Sequence, residues 1–250
     1  MEKKLTNQSQ IAGAIIIAGL IIAGAILIKG SGTPTPVDPV KAEAKLTKAL
    51  PTFSNCLDTS KYAQAVTTSS DKGSEAGVDG TPKGFIIKNN KVLATIDGAE
   101  PAKNTTTKIE KVLSGASTKE IKVKLDPVSA SDFVTGNTDA PVTVVVYVDF
   151  QCPYCGKFFK ETEQTVLADY IKAGKIKLVS RDFAFLGRYA QPYAVEKDES
   201  IKAAEAARCA ADQGKFWEYH DYLFAHQNGE NKGNFSSLNL KTFAKALGLK

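Results

Sequence analysis

Val142-Thr143-Val144-Val145-Val146-Tyr147-Val148-Asp149-Phe150-Gln151-Cys152-Pro153-Tyr154-Cys155-Gly156-Lys157-Phe158-Phe159 decides the fold. Its first seven residues are almost all β-branched or aromatic. Such a run reads as a strand covered on both faces, at the centre of a sheet under helices. Cys-Pro-Tyr-Cys follows, and a helical pattern then continues to about Ile171, closed by Gly174. Two cysteines therefore stand where a central strand hands over to a helix. Pro153 suits the first helical position, where its missing N–H leaves nothing unpaired. Cys152 then lies at the mouth of the helix, beside free backbone N–H groups and the positive end of the macrodipole. That setting favours thiolate over thiol, and the thiolate is the nucleophile. Cys155, three residues on, shares the helical face and is within disulfide reach.

A lone Cys-x-x-Cys can also be half of a zinc site. The other candidate ligands, Cys56, Cys209, His220 and His226, make no second close pair of ligand spacing, so a redox pair is expected and no metal. The two histidines read as packing or surface residues.

The 250 residues are 43% hydrophobic and 24% charged, which allows one or two ordinary globular domains. The net charge of +5 is mild, and no basic cluster is interleaved with aromatics, so nucleic acid is not an expected partner. Residues 11–28 carry no charge and no proline. As a helix they would span about 27 Å, close to a hydrocarbon core of about 30 Å. Lys29-Gly30-Ser31-Gly32 offers no persuasive cleavage site, so an uncleaved single-pass anchor is expected rather than a signal peptide. Lysines on both sides leave its orientation undecided. The redox pair decides it, because thiol oxidation belongs where disulfides persist, outside the cytoplasm.

The expected organisation is a cytoplasmic N-terminus and membrane anchor at 1–29, a Gly/Pro/Thr linker at 30–40, and one domain at 41–250. Within that domain helices are expected over 41–50, 54–76, 105–113, 200–213, 216–226 and 240–247. Strands are expected at 84–88, 92–96, 121–125, 142–148 and 175–183.

The stretch Val148–Cys155 resembles the active site of DsbA-like thiol–disulfide oxidoreductases of the thioredoxin superfamily. Residues 204–221 (Ala204 to Asp221, including Arg208-Cys209 and Phe216-Trp217) resemble part of that family's helical insertion. Residues 53–63 (Phe53 to Ala63, including Cys56) resemble a later part of it. Gly77-Val78-Asp79-Gly80-Thr81-Pro82 is similar to the family's closing motif, which precedes a hairpin and a last helix. The parts come in the wrong order: the closing set occupies 41–115 and the Cys-x-x-Cys half 116–250. Neither is duplicated, so the resemblance implies an α/β thioredoxin fold with a helical insertion, circularly permuted, joined at Gly115-Ala116-Ser117-Thr118. A tandem remnant and two halves completed by a second chain are the alternatives.

The resemblance implies roles. Thr81 would face the cysteines and pair with extended substrate, with Pro82 cis. Lys83-Gly84 departs from the apolar residues usual after Thr-Pro; Lys83 would either lower the Cys152 thiol pKa or face water. Val146 stands where many relatives carry a buried acid. Asp149 is nearer and could substitute, or could cap the strand end at the surface. Pro153 and Tyr154 would neighbour the sulfurs. Cys56 and Cys209 match places where relatives often carry a second, structural disulfide. The implied function is a membrane-anchored, extracytoplasmic dithiol oxidase without an organic cofactor. Reduced or unfolded secreted proteins would be its substrates, and a membrane redox partner would re-oxidise it. A reductase or isomerase using the same cysteines, or a non-catalytic polypeptide-binding module, are the other readings.

Overall fold

The computed structural model describes residues 38–117, 119–192, 194 and 197–250. The expected anchor at 11–28 lies outside them, as do most of the linker and Thr118 of the joint. Among the described residues no helix is long and apolar enough to cross a membrane. Residues 39–250 form one compact unit.

Three helices come first: α1 (Pro39–Ala49), α2 (Pro51–Asp58) and α3 (Ala63–Glu75). Pro51 separates the first two and occupies the opening turn of α2, where proline has no bond to lose. The helix expected over 54–76 is broken between α2 and α3, where Ser60 has φ +50°. A hairpin, β1 (Lys83–Lys88) and β2 (Lys91–Asp97), turns through Asn89 and Asn90, both at positive φ, a conformation asparagine tolerates better than most residues. Helix α4 (Ala102–Leu113) closes this half.

The second half holds β3 (Phe133–Gly136), β4 (Val142–Val148), α5 (Pro153–Phe158), a π-helical stretch (Phe159–Leu167), α6 (Ala168–Lys172) and β5 (Ile176–Asp182). A 3-10 turn (Leu186–Tyr189) leads to α7 (Glu199–Ala211), α8 (Phe216–Ala225) and α9 (Ser237–Ala246). The strands form one sheet in the order β2-β1-β4-β5-β3. β4 and β5 are parallel and the other pairs antiparallel. The Val142–Val148 run is the middle strand. Val144, Val146 and Val148 pack into one apolar cluster, and Val145 and Tyr147 into another on the opposite face.

The hairpin positions the site. Lys83 pairs with Tyr147 and Ile87 with Thr143, antiparallel. Running back from Lys83, residues Pro82 and Thr81 therefore continue alongside the chain that leaves β4 toward Cys152. Gly84 faces Ile96 across the hairpin, and a Cβ on it would come within 3.0 Å of that side chain. This close approach accounts for the glycine after Lys83.

Two expectations fail between the halves. Residues 121–125 are not a strand. Ile121 N–H donates to the Val92 carbonyl at 2.8 Å, while Val123 and Leu125 pack on the apolar face of the sheet. The real edge strand, β3, was not expected. Arg181 ties the connection down: its guanidinium donates to both carboxylate oxygens of Asp132 (2.7 and 3.0 Å) and to the carbonyls of Asp126 and Pro127.

Candidate active site

Cys152 is the N-cap of α5, with extended backbone (φ −68°, ψ 119°), and Pro153 opens the helix. Cys152 is 5% exposed and Cys155 1% exposed, and both are free thiols. The Thr81–Pro82 bond is cis. The Thr81 carbonyl oxygen lies 3.3 Å from Cys152 Sγ. The two stretches singled out by the sequence, 71 positions apart, thus meet within one chain.

The two thiols are driven apart in acidity. Cys152 falls from the usual thiol range to about 6. The Cys155 thiol donating to it is the largest cause, ahead of the Thr81 side chain and the backbone N–H groups of Cys155 and Tyr154, while burial opposes. Cys155 moves well above the usual range, first through burial and then because its proton is held by Cys152. The Thr81 hydroxyl is buried and makes no well-formed hydrogen bond; its dipole favours both thiolates. At neutral pH one sulfur is therefore a thiolate and the other a thiol. A dithiol that exchanges with disulfides needs this asymmetry.

The other expected neighbours are placed unequally. Tyr154 is 65% exposed beside the sulfurs. Lys83 is paired across the hairpin with the exposed Asp97 carboxylate, so it does not stand as a free cation for Cys152. Asp149 corrects the reading as a surface cap: it is 1% exposed. It accepts from the backbone N–H of Gln151 (2.8 Å), Phe185 (2.9 Å) and Leu186 (3.0 Å) and from the Ser200 hydroxyl (2.9 Å). Burial pushes its pKa up, and these four donors pull it back. With both oxygens occupied, the carboxylate fastens the loop after β5 to the active-site turn. Val146 is buried and apolar.

Cys56 and Cys209 form a disulfide between α2 and α7. His220 is buried among Phe150, Phe159, Phe216, Trp217 and Phe224, with Nδ1 3.0 Å from Asp221 and 3.8 Å from Glu163. Ligand atoms of these three residues lie within 4.8 Å of one another. Burial raises the Glu163 carboxyl to about 7, and the neighbouring imidazole opposes that rise. His226 stacks on Tyr222. Sequence reasoning missed Ser200, Gln227 and Asn231, which bond to the active-site turn. They sit in helix caps and loops without periodicity, and no local pattern marks them.

A central strand delivering Cys-x-x-Cys to a helix N-terminus beside a cis-proline is the thioredoxin-type site. A thioredoxin family model matches residues 129–248. Disulfide bond formation protein D of Bacillus subtilis is 32% identical over 94 residues, 38% of this chain and 39% of that protein. Probable disulfide bond formation protein D of Bacillus anthracis is 31% identical over 97 residues, 39% of this chain and 41% of that protein. The Na(+)/H(+) antiporter NhaA 3 of Salinispora tropica is 42% identical over 109 residues, 44% of this chain but 15% of the antiporter. The chain thus spans well under half the length of each of these relatives. Residues 129–248 are thus thioredoxin-like, and this half of the chain is similar to the disulfide bond formation proteins.

Proposed function

We propose that the protein is an extracytoplasmic dithiol oxidase that introduces disulfides into secreted polypeptides, held to the membrane by residues 11–28. The carrying observation is the lowered pKa of Cys152, at about 6, set against a buried Cys155 raised well above the thiol range. A leaving group that is a stable thiolate makes its disulfide easier to reduce, so the pair is a stronger oxidant.

In the forward reaction a substrate thiolate attacks Cys152 Sγ of the Cys152–Cys155 disulfide. The new S–S bond joins substrate to Cys152, and the bond to Cys155 breaks. Cys155 leaves as a thiolate and takes a proton. The substrate's second thiol loses its proton and attacks its own first sulfur. Cys152 departs as the thiolate its surroundings favour. Two electrons pass from the substrate dithiol to the protein, and the substrate gains one disulfide. Thr81, beside Cys152 Sγ, would pair with extended substrate backbone. Return to the disulfide requires an oxidant that accepts two electrons, supplied by a membrane redox partner. Residues 30–40 would space the domain from the bilayer.

The domain reads as one circularly permuted thioredoxin fold. Three observations support this. The family match begins at residue 129, after the hairpin that carries the cis-proline. The hairpin nevertheless pairs directly with the central strand. The Phe53 N–H, at the head of the Cys56 helix, donates to the Lys250 backbone oxygen at 2.7 Å, so the segment after α9 adjoins α2, the piece that would follow it in the unpermuted order.

The test is to incubate the oxidised protein with a reduced, unfolded two-cysteine polypeptide. One substrate disulfide is expected per Cys152–Cys155 pair reduced, with no oxidation by Cys152→Ser or Cys155→Ser, neither of which can hold the active-site disulfide; offered a disulfide-bonded polypeptide instead, Cys155→Ser should trap a mixed disulfide as its Cys152 thiolate displaces one substrate sulfur as a thiolate. No transfer in either direction would leave a polypeptide-binding module. Reduction of substrate disulfides without the reverse reaction would make the protein a reductase.

A further inference from the structure

The active-site turn is gripped by a loop that the sequence does not mark. Gln227 stands just past the His226 cap of α8 and is half-buried. Its side-chain amide donates to two carbonyls of the turn, Phe150 at 2.6 Å and Cys152 at 2.8 Å. Both amide hydrogens are used, one on each side of Gln151. Gly156, the residue after Cys155, makes room for this: a Cβ there would lie 2.2 Å from Gln227 Oε1. The Cys152 carbonyl also accepts the Gly156 N–H at 3.1 Å, the first backbone bond of α5.

Four residues on, the same loop grips the turn again. Asn231 N–H donates to Gln151 Oε1 at 2.6 Å, and Gln151 Nε2 donates to Asn231 Oδ1 at 3.2 Å and to Ser200 Oγ at 2.8 Å. Asn231 Nδ2 reaches the Leu186 carbonyl at 3.1 Å. The loop is itself tied down, since Gly233 N–H and Phe235 N–H each donate to the Glu199 carboxylate at 2.7 Å.

We propose that Gln227 is a positioning residue for the Cys152 thiolate. The inference rests on the reading of Cys152 as the nucleophile. The sulfur is stabilised by backbone N–H groups of Tyr154 and Cys155. They can serve it only while the Cys152 backbone keeps the extended N-cap conformation. Pro153 restricts Cys152 to extended backbone, but it does not set how the 150–152 turn sits against α5. Gln227 does so from outside, by holding the carbonyls at 150 and 152 at a fixed separation.

The test replaces Gln227 by leucine, similar in volume and without donors, and follows the rate of Cys152 alkylation against pH in the reduced protein. The alkylation midpoint is expected to rise by about half a unit to one unit, a three- to tenfold smaller thiolate fraction at pH 5. The equilibrium with glutathione should move in the less oxidising direction. A structural clamp alone would lower thermal stability and leave the midpoint in place, and that result in folded Gln227→Leu overturns the proposal. Should that variant not fold, Gly156→Ala displaces the Gln227 side chain in its stead. It is expected to give the same shift, and an unmoved midpoint counts against the proposal equally. The wild-type midpoint separates the two questions. A wild-type value in the ordinary thiol range sinks the proposed function, whereas a low wild-type value unaltered by both variants sinks the role of Gln227 alone.

Discussion

Lowering the pH from 7 to 5 should weaken the reduced protein relative to the oxidised one by an amount fixed by Cys152. Its thiol titrates at about 6 when folded and at about 8.5 when unfolded. A group whose folded pKa is depressed stabilises the fold above the unfolded pKa and loses that contribution as pH falls through the folded one. At pH 7 about 90% of folded Cys152 is thiolate, against about 3% of an ordinary thiol. The difference stabilises the folded, reduced state by about 1.4 kcal/mol at pH 7 and by less than about 0.1 kcal/mol at pH 5. Cys155, raised well above the thiol range, stays protonated throughout this window and adds nothing. The oxidised protein lacks the titrating thiol but shares every other ionisable group, so it is the internal control. Denaturant unfolding of both forms at each pH gives the gap directly. The gap between reduced and oxidised stability should shrink by about 1.3 kcal/mol on going from pH 7 to pH 5. A gap independent of pH would refute the assignment of a thiolate to Cys152, and a gap that widens on acidification would refute the sign.

Three further outcomes follow from packing and polar burial. Replacing Cys56 and Cys209 together by alanine removes a cross-link spanning 153 positions, and denaturant unfolding of the variant should show a loss of about 4–5 kcal/mol by the chain-entropy account. Gly73→Ala places a Cβ 2.8 Å from the Phe183 ring and 3.0 Å from the Tyr147 ring; a melting curve should register a destabilisation of about 1–3 kcal/mol, since both rings are buried and cannot step aside freely. Asp149→Ala leaves three backbone N–H groups and the Ser200 hydroxyl without their acceptor. A loss of at least about 3 kcal/mol is expected, together with faster amide exchange at Phe185 and Leu186; unchanged exchange there would mean the loop after β5 is held by something else.

The strand, the cysteine pair and the helix behind it were legible because each has a local physical signature. Seven β-branched and aromatic residues can be buried on both faces, and a proline fits at one point of the helix start. The meeting of Thr81 with Cys152 was legible only through a family resemblance. It depends on the antiparallel register of β1 on β4, and single-strand patterns carry no register. The alternation at 121–125 misled because apolar side chains two apart can face a core without their backbone joining a ladder. The π-helical stretch after α5 was invisible, since one extra residue per turn hardly changes the apolar pattern. Asp149 was misjudged as half-exposed. Carboxylates are rarely buried, and three of the four donors that permit its burial come from residues 36 to 51 positions away. Gln227 and Asn231 carry no periodic signal, and their bonds to the active-site turn span 75 to 80 positions.

The most direct test of the central claim is the equilibrium of the Cys152/Cys155 couple with glutathione at pH 7, read by the extent of alkylation of the two thiols. A thiolate-stabilised pair of this kind is predicted to poise well above about −200 mV, on the oxidising side of the glutaredoxins. A value near the about −270 mV of thioredoxin would contradict it.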